Sequence, residues 1–287
     1  MSATKITLPE TETLLLNQEN HVLHITLNRP KARNAMSLQM VQELMAVFEA
    51  LNAQSEAPAS DAINMPIRAV VLRGAEGHFC AGGDIKDMAG ARAAANSRQE
   101  GQDDPYCALN REFGRMITFA NQIPQVLIVV TEGAVLGGGF GLACISDVAL
   151  SAGDAKFGLP ETGLGIPPAQ IAPFVVTRIG LTQARRLALL GARFDGHEAM
   201  RLGIVHEAHD NTEQLDHALN TVLEQVKRCA PMANKVTKAL MLSVGEQPLE
   251  SLLDGAARSF SEAVQGSEGQ EGTMAFIQKR LPSWSAE

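Results

Sequence analysis

Two apolar runs, IRAVVL over 67–72 and VLIVV over 126–130, each pass directly into glycine-rich sequence. The first enters the loop Gly74 to Gly83. The second enters Gly133 and the triplet Gly137–Gly139. Short runs of this kind, bounded by turn residues, read as buried strands. A third strand over 148–151 follows a short helical stretch after the triplet. Strands that alternate with helical segments argue for parallel β-α units and an α/β fold.

The flanking sequence adds detail. Residues 14–16 and 22–27 read as short strands about a turn at Gln18-Glu19-Asn20. Residues 37–51 carry the 3.6-residue period through Leu38, Val41, Leu44, Met45 and Phe48, with Ser37 as N-cap. Residues 1–12 read as a frayed tail, 54–66 as a polar connector, and 89–105 as a small, polar, mobile loop near the site. From about Leu181 the pattern is helical: Thr182 to Gly191, Asp195 to Leu202, 215–226, 234–244 and 249–264. No internal repeat is present.

Composition narrows the function. With 45% hydrophobic and 20% charged residues the chain is an ordinary globular protein. A net charge of −8 and no basic run argue against nucleic acid as a partner. No apolar run reaches membrane-spanning length, and the first ten residues lack a signal-peptide pattern, so a cytoplasmic location is expected. Cys80, Cys107, Cys144 and Cys229 fit neither a zinc nor a disulfide spacing and read as buried free thiols. No H-E-x-x-H motif joins the histidines, so no metal is expected. Asp84 and Asp147 read as turn or cap residues.

Three segments can carry chemistry. The triplet leads from a strand into a helix, where backbone amides favour developing negative charge. It is not a dinucleotide fingerprint, because Leu142 stands where the third glycine belongs. The segment FCAGGDIK over 79–86 makes a second strand-to-helix turn, and two such turns can aim two N–H groups at one point. No G-x-S-x-G elbow is present, which suggests stabilisation of an enolate. The third segment, FGLPETGLGI over 157–166, sets Glu161 among apolar and glycine residues, where desolvation would raise its pKa.

Taken in order, LNRPKARNAMS, HFCAGGDIKDM, EGAVLGGGFGLACISDVALS and AKFGLPETGLGIPP resemble the enoyl-CoA hydratase/isomerase, or crotonase, superfamily. The likeness continues through GLTQARRLALLGARFDGHEAMRLGIV to EGTMAFIQKR, nearly the whole chain. It implies a ClpP-like crotonase fold of repeated β-β-α units. Residues 1–200 would form the core, with CoA-binding and oxyanion-hole loops. Residues 201–287 would form a helical oligomerisation region, giving a trimer or a dimer of trimers.

By resemblance the amides of Gly83 and Gly138 bind a thioester oxygen, and Glu161 is the acid/base. Lys31, Ala32, Arg33, Ala81, Asp84 and Ile85 match the CoA-binding segments. Phe260 and Lys279 match positions reaching the nucleotide of a neighbouring subunit. Coenzyme A would be part of the substrate, with no tightly bound cofactor. Hydratases of the family carry a second glutamate two residues after the triplet, where this chain has Gly141. The glycine is expected to open space beside the reacting carbons for a branched substituent. One glutamate leaves hydration, Δ3–Δ2 isomerisation and a catalytically inactive acyl-CoA-binding protein open. For a substrate carboxylate, Arg92, Arg98, Arg111 and Arg115 are candidate partners.

Overall fold

The fold begins with an antiparallel hairpin, β1 (Leu14–Glu19) and β2 (Val22–Leu27), turning at Asn20, whose φ of 51° suits asparagine. In this computed structural model residues 6–54, 65–99 and 101–285 are described. After the hairpin come α1 (Leu38–Gln54), β3 (Ala69–Gly74), α2 (Ile85–Asn96), α3 (Pro105–Gln122), β4 (Val126–Thr131) and β5 (Ala134–Leu136). Then follow α4 (Gly138–Cys144), β6 (Val148–Ala152), β7 (Lys156–Gly158), α5 (Ala172–Leu190), β8 (Arg193–Phe194) and α6 (Gly196–Arg201). The chain ends with β9 (Glu207–His209), α7 (Thr212–Lys227), α8 (Pro231–Leu242), α9 (Leu249–Gln265) and α10 (Ser267–Ile277).

The main sheet has the order β1-β2-β3-β4-β6-β9, parallel from β2 onward. A second sheet, β5-β7-β8, carries the site. The central strands are apolar throughout because both faces are covered. Val70, Leu72, Leu127 and Val129 face the larger core with α1, α3 and α4. Ala69, Val71, Ile128, Val130 and Leu150 face α7 through Leu215, Ala218, Leu219 and Val222. This is the α/β architecture expected.

Several expectations need correction. Residues 89–105 are a loop only in part: 89–96 belong to α2 and Pro105 opens α3, while the described residues between those helices are not helical. Asp84 accepts a hydrogen bond from the Lys86 amide and starts α2, which runs to Asn96, and Asp104 caps α3. Alanine is the strongest helix former, so its density here favours helix over loop. The helix expected from Thr182 begins at Ala172 and continues through a kink at Gly180, where φ is 74°. It ends as expected at Gly191, in left-handed conformation. Of the expected tail, Ile6 and Leu8 pack on the core, and the Ile6 amide donates to Gln18. Most of the expected 54–66 connector lies outside the described residues. Cys80 and Cys144 are buried, whereas Cys107 and Cys229 are exposed. No described helix is long and apolar enough to cross a membrane.

The C-terminal region is fastened to the core. β9 is the edge strand of the main sheet and α7 covers one face. The region expected from residue 201 therefore first completes the core, and only α8 to α10 extend beyond it. Lys238 of α8 donates to Asp147 at 2.6 Å and to the Gln125 carbonyl at 3.1 Å. Asp147 also accepts from the Leu127 amide at 2.7 Å, which accounts for an acid at that strand entry. Glu268 of α10 accepts the free amides of Met232 and Ala233 at the start of α8.

Candidate active site

The site is assembled from three backbone segments. The 80–84 strand end is sandwiched by two isolated parallel bridges, Cys80 to Val135 and Gly83 to Met36. Cys80 donates to the Ala134 carbonyl and accepts from the Leu136 amide. Met36 donates to Gly82 and accepts from Asp84. In a parallel bridge the residue between those two bonds turns its own N–H the other way. The Gly83 amide therefore points away from Met36 and has no partner among the described residues.

Glycines make this approach possible. A Cβ on Gly139 would stand 2.7 Å from the Cys80 Cβ, and one on Gly137 would stand 3.6 Å from the Gly82 Cα. Gly82 and Gly137 have φ of 101° and 50°, open to glycine without strain. Gly137 precedes α4, so Gly138 is its first residue, and its amide is one of the donors a helix start leaves free. A Cβ on Gly138 would lie 3.1 Å from the Phe113 ring of α3. Phe113 is thus a neighbour of the site that the sequence did not reveal.

Glu161 opens a short 3-10 turn, Glu161–Leu164, after β7. Its Oε1 would be 2.9 Å from a Cβ on Gly137, so the carboxylate borders the triplet. Its Oε2 is buried with no hydrogen-bond partner among the described residues. Burial pushes the carboxyl above the ordinary glutamate range, partly offset by a hydrogen bond from its own backbone amide. This direction matches the sequence expectation. Cys80, the thiol in the same strand end, is fully buried and pushed up to about 11 by desolvation, so it is a neutral packing group and not a nucleophile.

The loop of Lys31, Ala32 and Arg33 lies against Ala81 to Ile85. Ala81 donates to the Arg33 carbonyl at 3.0 Å, and the Arg29 guanidinium pairs with Asp84 at 2.5 Å. Asp84 is held below the usual carboxylate range: its hydrogen bonds to the Lys86 amide and Arg29 outweigh its burial. Asn34, fully buried with φ of 55°, holds this loop in place. Its side chain accepts from the Arg29 amide and donates to the Ala75 and His78 carbonyls. Among the described residues no hydrogen bond or ion pair joins Phe260 or Lys279 to this loop. Phe260 is 72% exposed on α9, and Lys279 follows α10 in left-handed conformation.

The expectation for Gly141 is overturned. The space beside it is filled, not open. A Cβ there would overlap the Ile171 Cγ2 and lie 3.0 Å from the Ile117 Cδ1. Both isoleucines are buried. The glycine lets the segment before α5 pack directly onto α4, and this apolar contact occupies the place a side chain at 141 would take. A buried carboxyl whose pKa is raised, with an unpartnered oxygen bordering the glycine triplet, has the chemistry of a proton-transfer group.

Residues 17–287 match the profile of the enoyl-CoA hydratase/isomerase family, and the chain belongs to that family. Among solved structures it is similar to Pseudomonas aeruginosa AtuE, at 60% identity and a TM-score of 0.87, covering 96% of this chain and 100% of that one. Among curated proteins it is similar to the 2,3-dehydroadipyl-CoA hydratase of Escherichia coli K12, 28% identical over 94% of this chain and 98% of that protein. The peroxisomal Delta(3,5)-Delta(2,4)-dienoyl-CoA isomerase of Arabidopsis thaliana is 29% identical over 96% of each.

Two outcomes test this description. Gly141→Ala should lower the unfolding free energy in urea by about 1–3 kcal/mol, the usual cost of overpacking a core; wild-type stability would mean that Ile171 moves aside freely. A carboxyl whose folded pKa is raised favours the folded state most below its unfolded pKa. That contribution is lost as pH rises through the folded pKa. Glu161→Gln should therefore raise the melting temperature at pH 7 relative to wild type, with the gain shrinking as pH falls toward 4.5, the ordinary glutamate value, and absent below it.

Proposed function

We propose that the protein hydrates a branched α,β-unsaturated acyl-CoA, with Glu161 as the single acid/base and the Gly83 and Gly138 amides as the oxyanion hole. The observation that carries this reading is the buried, unpartnered Oε2 of Glu161 beside the triplet. A carboxylate left without a partner inside a protein is costly unless a ligand supplies one. In the reaction Glu161 takes a proton from water as the hydroxyl adds to the β-carbon. The electron pair of the double bond moves into the thioester, giving an enolate oxygen. The two amides bind that oxygen more strongly than the starting carbonyl, each lowering the barrier by about 3 kcal/mol. Glu161 then returns the proton to the α-carbon, so water is added with no net proton change.

Lys31, Ala32, Arg33, Ala81, Asp84 and Ile85 would hold the CoA portion, and Phe260 and Lys279 would reach a neighbouring subunit's nucleotide. The segments GGGFGLACISD and FGLPETGLGIPPAQIAPFVVTRIGLTQARRLAL also resemble the isohexenylglutaconyl-CoA hydratase of acyclic terpene breakdown, and the proposed substrate class follows from that likeness. A Δ3–Δ2 enoyl-CoA isomerase is the second reading. It is favoured by Ile171 and Ile117 beside Gly141, which fill the place of a second carboxylate with apolar atoms. An assembly of three or six chains is supported by exposed apolar side chains on the last helices, among them Leu253, Phe260, Phe276 and Ile277.

Following the absorbance of a 2-enoyl-CoA tests the reaction. Glu161→Gln should slow hydration by about 10²–10⁴-fold while CoA-ester binding persists, and retained turnover removes Glu161 from the mechanism. Rapid conversion of a 3-enoyl-CoA to the 2-enoyl isomer without hydroxyacyl product selects the isomerase. For the assembly, light scattering should give the mass of three or six chains, reduced by Phe276→Glu; a single-chain mass for wild type removes the oligomer.

A further inference from the structure

The glycine triplet has a carboxylate on one residue and an aromatic ring on the next. A Cβ on Gly137 would be 2.9 Å from the Glu161 Oε1, and a Cβ on Gly138 would be 3.1 and 3.2 Å from the Phe113 Cε2 and Cζ. Gly137 and Gly138 are neighbours in the chain, with Cα atoms about 3.8 Å apart. Glu161 and Phe113 therefore border one short stretch of backbone, and the second amide of that stretch opens α4. A molecule held at that amide and within proton-transfer reach of Glu161 has the ring beside it.

Phe113 is the outer member of an apolar row. On α3, Phe113 and Ile117 lie one turn apart; on α4, Gly138 and Gly141 lie three residues apart, so each pair shares a face of its helix. Phe113 meets Gly138, and Ile117 meets Gly141, where Ile171 joins it. The inner end of the row is closed. Ile117 is fully buried, Ile171 is 3% exposed, and the two leave no room at 141. Phe113 packs on the same core but is only half-buried. Of these three side chains it alone keeps surface that a ligand can touch. With the space at Gly141 filled, a substituent on the reacting carbons meets this row at the ring.

We infer that Phe113 determines which β-substituents the site accepts: its ring is the wall beside the Gly138 amide, and its size sets the room left there. This rests on the acyl-CoA reading above. It holds for hydration and isomerisation alike, because both need the same carbons between that amide and Glu161. An apolar wall discriminates by volume, and one carbon more or less in such a pocket changes selection by about 10–200-fold. The absence of a side chain at 138 is part of the arrangement, since a Cβ there would press on the ring.

Binding of two saturated esters that differ by one methyl group on the β-carbon, valeryl-CoA and 3-methylvaleryl-CoA, tests it by calorimetry with no turnover. The readout is the ratio of their affinities. Phe113→Ala should move that ratio about tenfold toward the branched ester, Phe113→Leu should move it part of the way, and Phe113→Trp should move it in the opposite direction. Phe119→Leu, at another ring of α3 packed on the core, should keep the wild-type ratio. A purely structural loss weakens both esters together and leaves the ratio alone. Phe113→Leu, the milder truncation, keeps the measurement open if the alanine variant does not fold. A ratio that stays at the wild-type value in Phe113→Leu and Phe113→Trp, or one that moves equally in Phe119→Leu, would overturn the assignment. If wild type binds neither ester, the acyl-CoA reading itself fails and this inference falls with it.

Discussion

The structure depends on one close approach of backbone to backbone, where Cys80–Gly83 runs beside Leu136–Gly139. Cys80 exchanges two hydrogen bonds across Val135, and Gly139 has no side chain to hold the strands apart. From this contact the rest follows. The Gly83 amide is turned out of the ladder, the start of α4 is brought to the same place, and Glu161 is carried in by β7, which pairs with β5. None of these groups owes its position to a flexible side chain alone. Main-chain amides held in this way would need little reorganisation to act as donors, because the sheet has already fixed them.

Around that contact the protein supports the loops mainly through buried polar side chains. Asn34 ties the 29–36 loop to the carbonyls of Ala75 and His78. His78 Nδ1 accepts from the Ala134 amide. Each is a short-range fastening that leaves few loop groups unsatisfied. Farther out, Lys238 and Asp147 join α8 to the start of β4, and Glu268 closes the start of α8 from α10. The C-terminal helices are thereby fixed to their own chain before any neighbour is considered.

Much of this was legible in the sequence, for physical reasons. The apolar runs over 67–72 and 126–130 could only be strands covered on both faces, and the glycine triplet announced a close approach. Burial of Glu161 was readable from its apolar neighbours. Other features were hidden because they arise from distant residues. Ile171 and Ile117 lie 54 positions apart in the numbering, and nothing local to either says that they meet over Gly141. Phe113 looks like an ordinary helix residue until α3 is laid along the site. The alanine-rich stretch after Asp84 misled because small residues suggest a loop by size, whereas their helix propensity and the two aspartate caps decide the outcome.

The packing of Ile171 onto Gly141 bears on how such a site can change over generations. A carboxylate at position 141 cannot be gained by one substitution, since the room for it is held by a residue thirty positions downstream. The lineage would first have to shrink position 171, leaving a void, or first enlarge position 141, forcing a collision. Either intermediate is less stable than both endpoints. An interior packed in this way therefore resists the gain of a charged side chain at 141 by its own close fit.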